Sequence, residues 1–455
     1  MRRARGDRTG PRLHRWGSRT TFCRGLKRAV GGARPGETVA VLCLDLDQFR
    51  IVNYTLGHEA GDAVIRTVAH RLAECIGAAG SCAHMGGDEF ALYVRTSDAD
   101  TATWAERVLA AVEQPIPVVG REVRLTASLG IATTSTSGRD ANRLLCDAAA
   151  ALHEAKEGGR NTFRQHTPQA SRRFMDQILL AHDFERALSN GEFFLEYQPR
   201  VHIHSGAITS AEALLRWRHP ERGLVAPGEF IGTAERTGWI VPIGRWVVEE
   251  VCRQIREWLD AGLPVVRVAV NVSARQFQLD DFVHHVARTL SCHRIDPGLL
   301  EIELTETTVV ENVESARRKL EALRGMGVSV AIDDFGVGYS SLSVLHRIPV
   351  DALKLDRTFV QENGIGGWSV MGTIIDLGHR LNLCVVGEGV ETERQVSVLR
   401  AHRCDEVQGF YFSRPVPAPD FMRMLAASRL GRSGEGAAGP VAPRGSAQHP
   451  EVMGV

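Results

Sequence analysis

The chain has 455 residues, 44% hydrophobic and 24% charged, and its 54 basic and 54 acidic residues cancel to a net charge of zero. That is a globular composition with room for two or three domains at roughly 100–200 residues each. It excludes a protein that coats a nucleic-acid polymer, which needs a basic excess, and no run approaches the roughly 20 apolar residues that cross a bilayer. In chain order, residues 1–34 are rich in Arg and Gly and read as a poorly ordered or truncated arm, or the remnant of a first helix. Residues 35–165 alternate strands and helices, an α+β pattern. The apolar run Thr38–Leu44 is a strand, and His58–Ile76 has helical spacing. Cys82–Met85 and Phe90–Arg95 flank Gly86-Gly87 as a hairpin. Arg121–Thr133 reads as one strand and Ala141–Glu157 as a helix. Residues 166–191 form a connecting helix.

Residues 192–428 supply eight further strands: Phe193–Tyr197, Ile208–Leu215, Val266–Val272, Leu300–Leu304, Val328–Ile332, Ala352–Leu355, Leu383–Val386 and Glu406–Phe412. Eight strands separated by helices over that span predict a TIM-like (β/α)8 barrel. Residues 429–455 are rich in Gly, Ala, Pro and Ser and are expected to be disordered. The nine cysteines form no C-x-x-C pair, so neither a zinc site nor a disulfide framework is expected. Only four of the basic residues are lysines, namely Lys27, Lys156, Lys319 and Lys354. A lysine kept in so arginine-rich a chain marks a position where the chemistry needs one.

In the second half, polar side chains fall at or near the strand ends. They are Glu212, Asn271, Glu301 and Glu303 (with Glu306 beyond), Asp333 and Asp334, Lys354, Glu388 and Gln408. A barrel gathers such ends at one mouth, where converging carboxylates repel unless a positive charge neutralises them. Carboxylate and amide oxygens without thiols suit Mg²⁺ or Mn²⁺. The adjacent Asp333 and Asp334 could feed two ions, an arrangement used for in-line attack on phosphodiesters.

These residues carry a family resemblance. Glu212-Ala213-Leu214 running into Leu215-Arg216-Trp217 resembles the signature of EAL domains, which are cyclic di-GMP phosphodiesterases. Asn271-Val272-Ser273, Glu303-Leu304-Thr305-Glu306, the run Asp333–Leu342, Lys354–Arg357, Glu388–Thr392 and Gln408-Gly409-Phe410 match in order. The resemblance implies hydrolysis of cyclic di-GMP to linear pGpG with two Mg²⁺ or Mn²⁺ ions. Glu212, Asn271, Glu303 and Asp333 would ligate one ion, and Asp333 and Asp334 would link to the second. Lys354 would orient the attacking water, and Glu388 would hold the second ion's water shell and is a candidate base. Gln198, Arg216 and Gln408 would hold the dinucleotide. Glu306 would anchor the loop Asp334–Ser341.

The first half carries a second resemblance. Glycines at a hairpin tip let backbone amides approach a phosphate, and Gly86-Gly87-Asp88-Glu89-Phe90 resembles the signature of GGDEF domains, which are diguanylate cyclases. By that likeness Asp45 and Asp88 bind Mg²⁺ with GTP, and Asp88 or Glu89 assists deprotonation of the attacking hydroxyl. Asn53 and Asp62 read guanine, while Lys156 and Arg160 touch the triphosphate. Arg12–Ser18, Tyr54 and His84 depart from the pattern, and Gly77 and Gly80 stand in place of the charged feedback residues. The leading expectation is a phosphodiesterase barrel with a GTP-binding, partly degenerate regulatory domain, working as a homodimer in the bacterial cytoplasm. A bifunctional enzyme that also makes cyclic di-GMP, and a non-catalytic cyclic di-GMP/GTP receptor, are the alternatives.

Overall fold

The computed structural model describes residues 19–430, apart from 35, 119, 311, 337–344, 346 and 362–364, and divides into two compact units, one up to Ile178 and one from Leu179. The first unit is built on seven strands: β1 (Thr38–Leu46), β2 (Gly80–Gly86), β3 (Glu89–Thr96), β4 (Ile116–Val118), β5 (Arg121–Val123), β6 (Ala127–Thr133) and β7 (Phe163–Gln165). Five of them form a sheet in the order β2-β3-β1-β6-β7, and β4 and β5 make a separate ribbon. β1 is central and apolar on both faces. Ala40, Leu42, Leu44 and Leu46 belong to one core with the helix His58–Ile76, and Val39 and Val41 belong to the core on the other face. The period of two places successive side chains on opposite faces, so a strand covered by helices on both sides carries no polar face.

One expectation for this unit is corrected, and of the two readings of residues 1–34 the first-helix one holds over their described part, as the helix Arg19–Gly31. Its Phe22, Leu26, Ala29 and Val30 recur at helical spacing and bury against Val39 and Val41, so an apolar stripe outweighs the Arg/Gly composition. The stretch Arg121–Thr133 is two strands in two sheets, not one. The break falls at Thr126, whose carbonyl accepts from Asp47 N at 2.9 Å and whose hydroxyl donates to Asp47 Oδ2 at 2.8 Å. Asp47 takes a third bond from the Ser128 hydroxyl, which anchors the end of β1.

In the helix Pro168–Ser189, Ala170 is buried and the Phe174 ring lies 5.3 Å from that of His153 in the first unit. Further along, Leu180, Phe184 and Ala187 join Phe193, Trp217 and Phe230 in an aromatic core of the second unit.

The second unit contains β8 (Phe193–His202), β9 (Ile208–His219), β10 (Gly223–Val225), β11 (Arg267–Asn271), β12 (Leu300–Thr305), β13 (Ser329–Phe335), β14 (Ala352–Leu355), β15 (Cys384–Gly387) and β16 (Glu406–Val407). Strands β9 and β11 to β16 are parallel neighbours, and β8 closes the ring by pairing with both β16 and β9, antiparallel to each. The result is an eight-stranded α/β barrel, with β10 as a short hairpin partner of β9. The antiparallel β8 puts its early residues level with the late residues of β9: Phe194 pairs with Arg216 and Gln198 with Glu212.

The eighth strand stops at Val407 and does not run on to Phe412 as expected. A Cβ on Gly409 would lie 2.1 Å from the Val390 carbonyl oxygen, so the backbone presses against its neighbour and turns there. Gln408 N donates to the Gly387 carbonyl at 2.9 Å, and its own carbonyl accepts from Val390 N at 3.1 Å. The Gln408 side chain is therefore held at a fixed place beside the end of β15.

Candidate active site

Within the barrel, the side chains singled out by sequence converge on one lysine. The register aligns Asn271 with Glu303, and Thr305 with Asp333 on the next strand. Lys354 is 1% exposed, and its Nζ lies 2.8 Å from Glu303 Oε2, 3.0 Å from Asp333 Oδ1, 2.7 Å from Glu388 Oε1 and 3.8 Å from Glu212 Oε2. Burial alone would lower the lysine's pKa, but Asp333, Glu212 and Glu388 outweigh it and hold the ammonium well above its ordinary value. Glu212 would likewise be raised by burial. Lys354 and Arg200, with hydrogen bonds from Gln408 and Asn271, keep it ionised below the usual carboxylate range. Asn271 Nδ2 donates to Glu212 Oε1 at 2.6 Å, and Gln408 Nε2 donates to Glu212 Oε2 at 2.6 Å and to Gln198 Oε1 at 2.9 Å.

Asp333 and Asp334 sit at an irregularity of β13, between Ile332 and Phe335. Asp334 adopts φ 52° there, a left-handed conformation that Asp tolerates better than most residues. Such a bulge re-aims side chains. It brings one oxygen each from Asp333, Asp334 and Glu388 within 4.8 Å of one another. Burial is the main force raising Asp334, with Asp333 next to it adding to the effect. Burial also pushes Glu388 up to about 8, beyond what Lys354 restores. An oxygen-only donor set of this charge and spacing fits hard divalent cations.

Below this layer lies a cation that the sequence reading missed. Arg200 is 1% exposed. Its Nη1 donates to Glu301 Oε1 at 2.5 Å, its Nη2 pairs with Glu303, and its Nε donates to Gln408 Oε1 at 3.1 Å. Arg267 takes the other Glu301 oxygen at 3.3 Å. The available signal was alternation: Glu196, Gln198 and Arg200 share one face of β8, opposite Glu212 and Leu214 of β9.

Two candidates stand apart from the lysine cluster. Arg216 Nε donates to Glu196 Oε2 at 2.8 Å, and its Nη1 donates to the Leu215 carbonyl at 2.9 Å. It shares a face of β9 with Glu212, four residues nearer the strand's C-terminal end. Glu306 begins the helix Glu306–Val310, and residues 337–341 of the loop it was expected to anchor lie outside the described residues.

In the first unit the hairpin forms as expected. Gly86 and Gly87 have φ of 128° and 56°, and His84 Nε2 lies 2.8 Å from the Gly87 carbonyl. Register sets Asp45 opposite Glu89, and Leu46 N donates to the Asp88 carbonyl at 3.2 Å. Lys156 comes from the last turn of the helix Ala141–Glu157, where a cation suits the helix dipole. Its Nζ lies 2.7 Å from Asp45 Oδ2. Burial still leaves the Asp45 carboxyl above its usual range, ahead of the lowering by Lys156, and Asp88 and Glu89 add to the rise. Asn53 lies on the helix Phe49–Leu56. It packs so close to Gly61 that a Cβ there would meet its Oδ1 at 1.9 Å, and Asp62 is the next residue. Arg160 is exposed, with φ 62°.

Comparison with known proteins agrees with both halves. The family description "EAL domain" matches residues 181–415, more than half of the chain, and "Diguanylate cyclase, GGDEF domain" matches residues 15–162. The chain belongs to the EAL domain family and carries a GGDEF domain ahead of the barrel. It is 40% identical over 405 residues to the bifunctional diguanylate cyclase/cyclic di-GMP phosphodiesterase MucR of Pseudomonas aeruginosa, covering 88% of this chain and 59% of that protein. It is 38% identical over 388 residues to the cyclic di-GMP phosphodiesterase PdeR of Escherichia coli (strain K12), covering 85% of this chain and 58% of that one. The chain thus spans under two thirds of the length of these relatives. The solved PaMucR phosphodiesterase in its c-di-GMP complex shares 44% identity at a TM-score of 0.52, covering 53% of this chain and 99% of that one. The S helix-GGDEF-EAL structure of Vibrio cholerae LapD is alike in fold, with a TM-score of 0.60 at 21% identity over 87% of this chain and 94% of that one. Among the described residues no helix is long and apolar enough to cross a membrane.

Proposed function

We propose that the barrel hydrolyses cyclic di-GMP to linear pGpG with Mg²⁺ or Mn²⁺, and that the GGDEF unit binds GTP and regulates it. The observation that carries the reading is the buried Lys354 ammonium within 3.0 Å of three carboxylates, Glu303, Asp333 and Glu388. Glu212, Asn271, Glu303 and Asp333 would hold one ion. Asp333 and Asp334 would hold the second, with Glu388 on its water shell. When bound, the ions supply positive charge to the phosphate and acidify the attacking water.

The remaining chemistry belongs to this chain. Lys354, held protonated, donates to the attacking water and orients it in line with the scissile P–O bond. Glu388 in its ionised form accepts the proton the water gives up. The water oxygen bonds to phosphorus, the bond from phosphorus to the 3′ oxygen breaks, and that oxygen takes a proton from solvent to leave as the hydroxyl of pGpG, while Glu388 later returns its proton to solvent. Gln198 and Gln408 hold the dinucleotide, and the Arg216 guanidinium, near the rim, forks onto its phosphate.

In the GGDEF unit, Asp45 and Asp88 would hold Mg²⁺ with GTP, Asn53 and Asp62 would read guanine, and Lys156 and Arg160 would touch the phosphates. One observation favours a second reading, in which a homodimer also makes cyclic di-GMP with Asp88 or Glu89 assisting: Asp45, Glu89 and Lys156 are assembled on adjoining elements. The purified chain incubated with Mn²⁺ and cyclic di-GMP, and separately with GTP, separates the two by chromatography. The proposal expects pGpG from the first and no cyclic product from the second. Cyclic di-GMP made from GTP would establish the bifunctional reading. Intact cyclic di-GMP in the first reaction would refute the phosphodiesterase.

A further inference from the structure

We infer that Arg200 is a positioning residue for the barrel's chemistry, fixing which oxygen Glu303 presents and which way the Gln408 amide faces. The inference rests on the phosphodiesterase reading of the same site. A guanidinium only donates hydrogen bonds, and a buried one must find acceptors for its N–H groups. Arg200 donates to Glu301 through Nη1 and to Gln408 through Nε, and its Nη2 faces Glu303 Oε1 as an ion pair without a hydrogen bond.

The first consequence concerns Gln408. Because Arg200 Nε donates to its Oε1, the amide nitrogen must point the other way, at Gln198 Oε1 and Glu212 Oε2. The reversed amide would set NH₂ against the guanidinium and a carbonyl oxygen against the Glu212 carboxylate. Three hydrogen bonds would be lost, in a setting where unpaired buried groups are costly. Gln198 then turns its own nitrogen to the Ser413 carbonyl at 3.0 Å, so one donor orders two amides in series.

The second consequence concerns Glu303. Its Oε1 faces Arg200, and its Oε2 lies 2.8 Å from Lys354 Nζ. Only Oε2 is directed at the carboxylate cluster, so Glu303 is set to offer a single oxygen to an ion. Glu301, shared between Arg200 and Arg267, balances the arginine's charge and leaves that of Glu303 to the mouth. A lysine at 200 has one nitrogen and cannot span Glu301 and Glu303 of β12 and Gln408 beyond the end of β16 at once.

The test uses R200K and the double variant R200M/E301Q in the full chain. The second removes one buried charge of each sign, a change that folded proteins commonly tolerate. Mn²⁺ binding is followed by the loss of the free-ion EPR signal without nucleotide, alongside kcat and KM for cyclic di-GMP and the melting temperature. Folded variants are expected to lose roughly 10–100-fold in Mn²⁺ affinity and in kcat, with KM moving less. If R200K does not fold, the double variant carries the same test. A folded variant whose Mn²⁺ affinity and kcat match the parent's would overturn the inference. A parent that binds Mn²⁺ but leaves cyclic di-GMP intact would instead defeat the phosphodiesterase reading, and the Mn²⁺ comparison would still decide the role of Arg200.

Discussion

The two carboxylate clusters of this chain answer the same electrostatic problem in different solvents. In the barrel, Lys354 and Arg200 are each 1% exposed, and the acids around them share their hydrogen bonds through Gln408 and Asn271. In the hairpin unit, Asp45 and Lys156 retain side-chain exposures of 12% and 31%, and Glu89 is open to water. Water screens the second cluster, so one ion pair suffices there. The first is cut off from water, and protein cations must neutralise its charge. A deeply preorganised site is costly to disturb, whereas an open one tolerates change.

The largest effect that comparison predicts is at Lys354. Lys354→Ala leaves Glu303, Asp333 and Glu388 without their shared ammonium. Breaking a buried ion pair costs about 3–5 kcal/mol, so a lowered melting temperature should accompany a collapse of kcat that exceeds any change in KM. Near-parental kcat would break the comparison. Metal removal comes next. Chelation should stop hydrolysis and Mn²⁺ should restore it, as product chromatography will show; turnover in excess chelator would contradict the donor set around Asp333. At the open site, Lys156→Ala should weaken GTP binding, measured by calorimetry, while leaving the melting temperature nearly unchanged, as expected for a partly exposed pair.

The smallest effect concerns pH. The Asp45 carboxyl is raised in the folded protein, so the folded state binds more protons than the unfolded chain between the ordinary carboxylate pKa and the raised one. Stability therefore falls as pH rises through that window and is level above it. Asp45→Asn should melt a few degrees higher than the parent at pH 7 in chelator, with the gain shrinking as pH falls from the raised pKa to the ordinary carboxylate one and absent below it. A gain independent of pH would show that the burial of Asp45 is not its cause.

Much of this contrast was legible in the residues themselves. The order of strands and the acids at their ends follow from apolar runs and from where polar residues interrupt them. The scarcity of lysine marked Lys354 and Lys156. Arg200 was hidden by the opposite circumstance, since arginine is everywhere in this chain. It also lies two residues from the C-terminal end of β8, whose antiparallel direction sets that end level with the start of β9, away from the mouth where polar strand ends were expected to gather. The turn after Val407 was missed because the contact between Gly409 and Val390 is tertiary and leaves no local pattern. The helix Arg19–Gly31 was obscured by composition, although its apolar spacing was present throughout.

Hydrolysis by the buried barrel cluster should be chemically separate from the hairpin. Initial rates of pGpG formation from cyclic di-GMP, measured side by side for the parent, Glu212→Ala and Asp88→Ala with Mn²⁺ present, test it most directly. Activity is expected in the parent and in Asp88→Ala, and none in Glu212→Ala. Substantial turnover by Glu212→Ala, or its loss in Asp88→Ala, would contradict it.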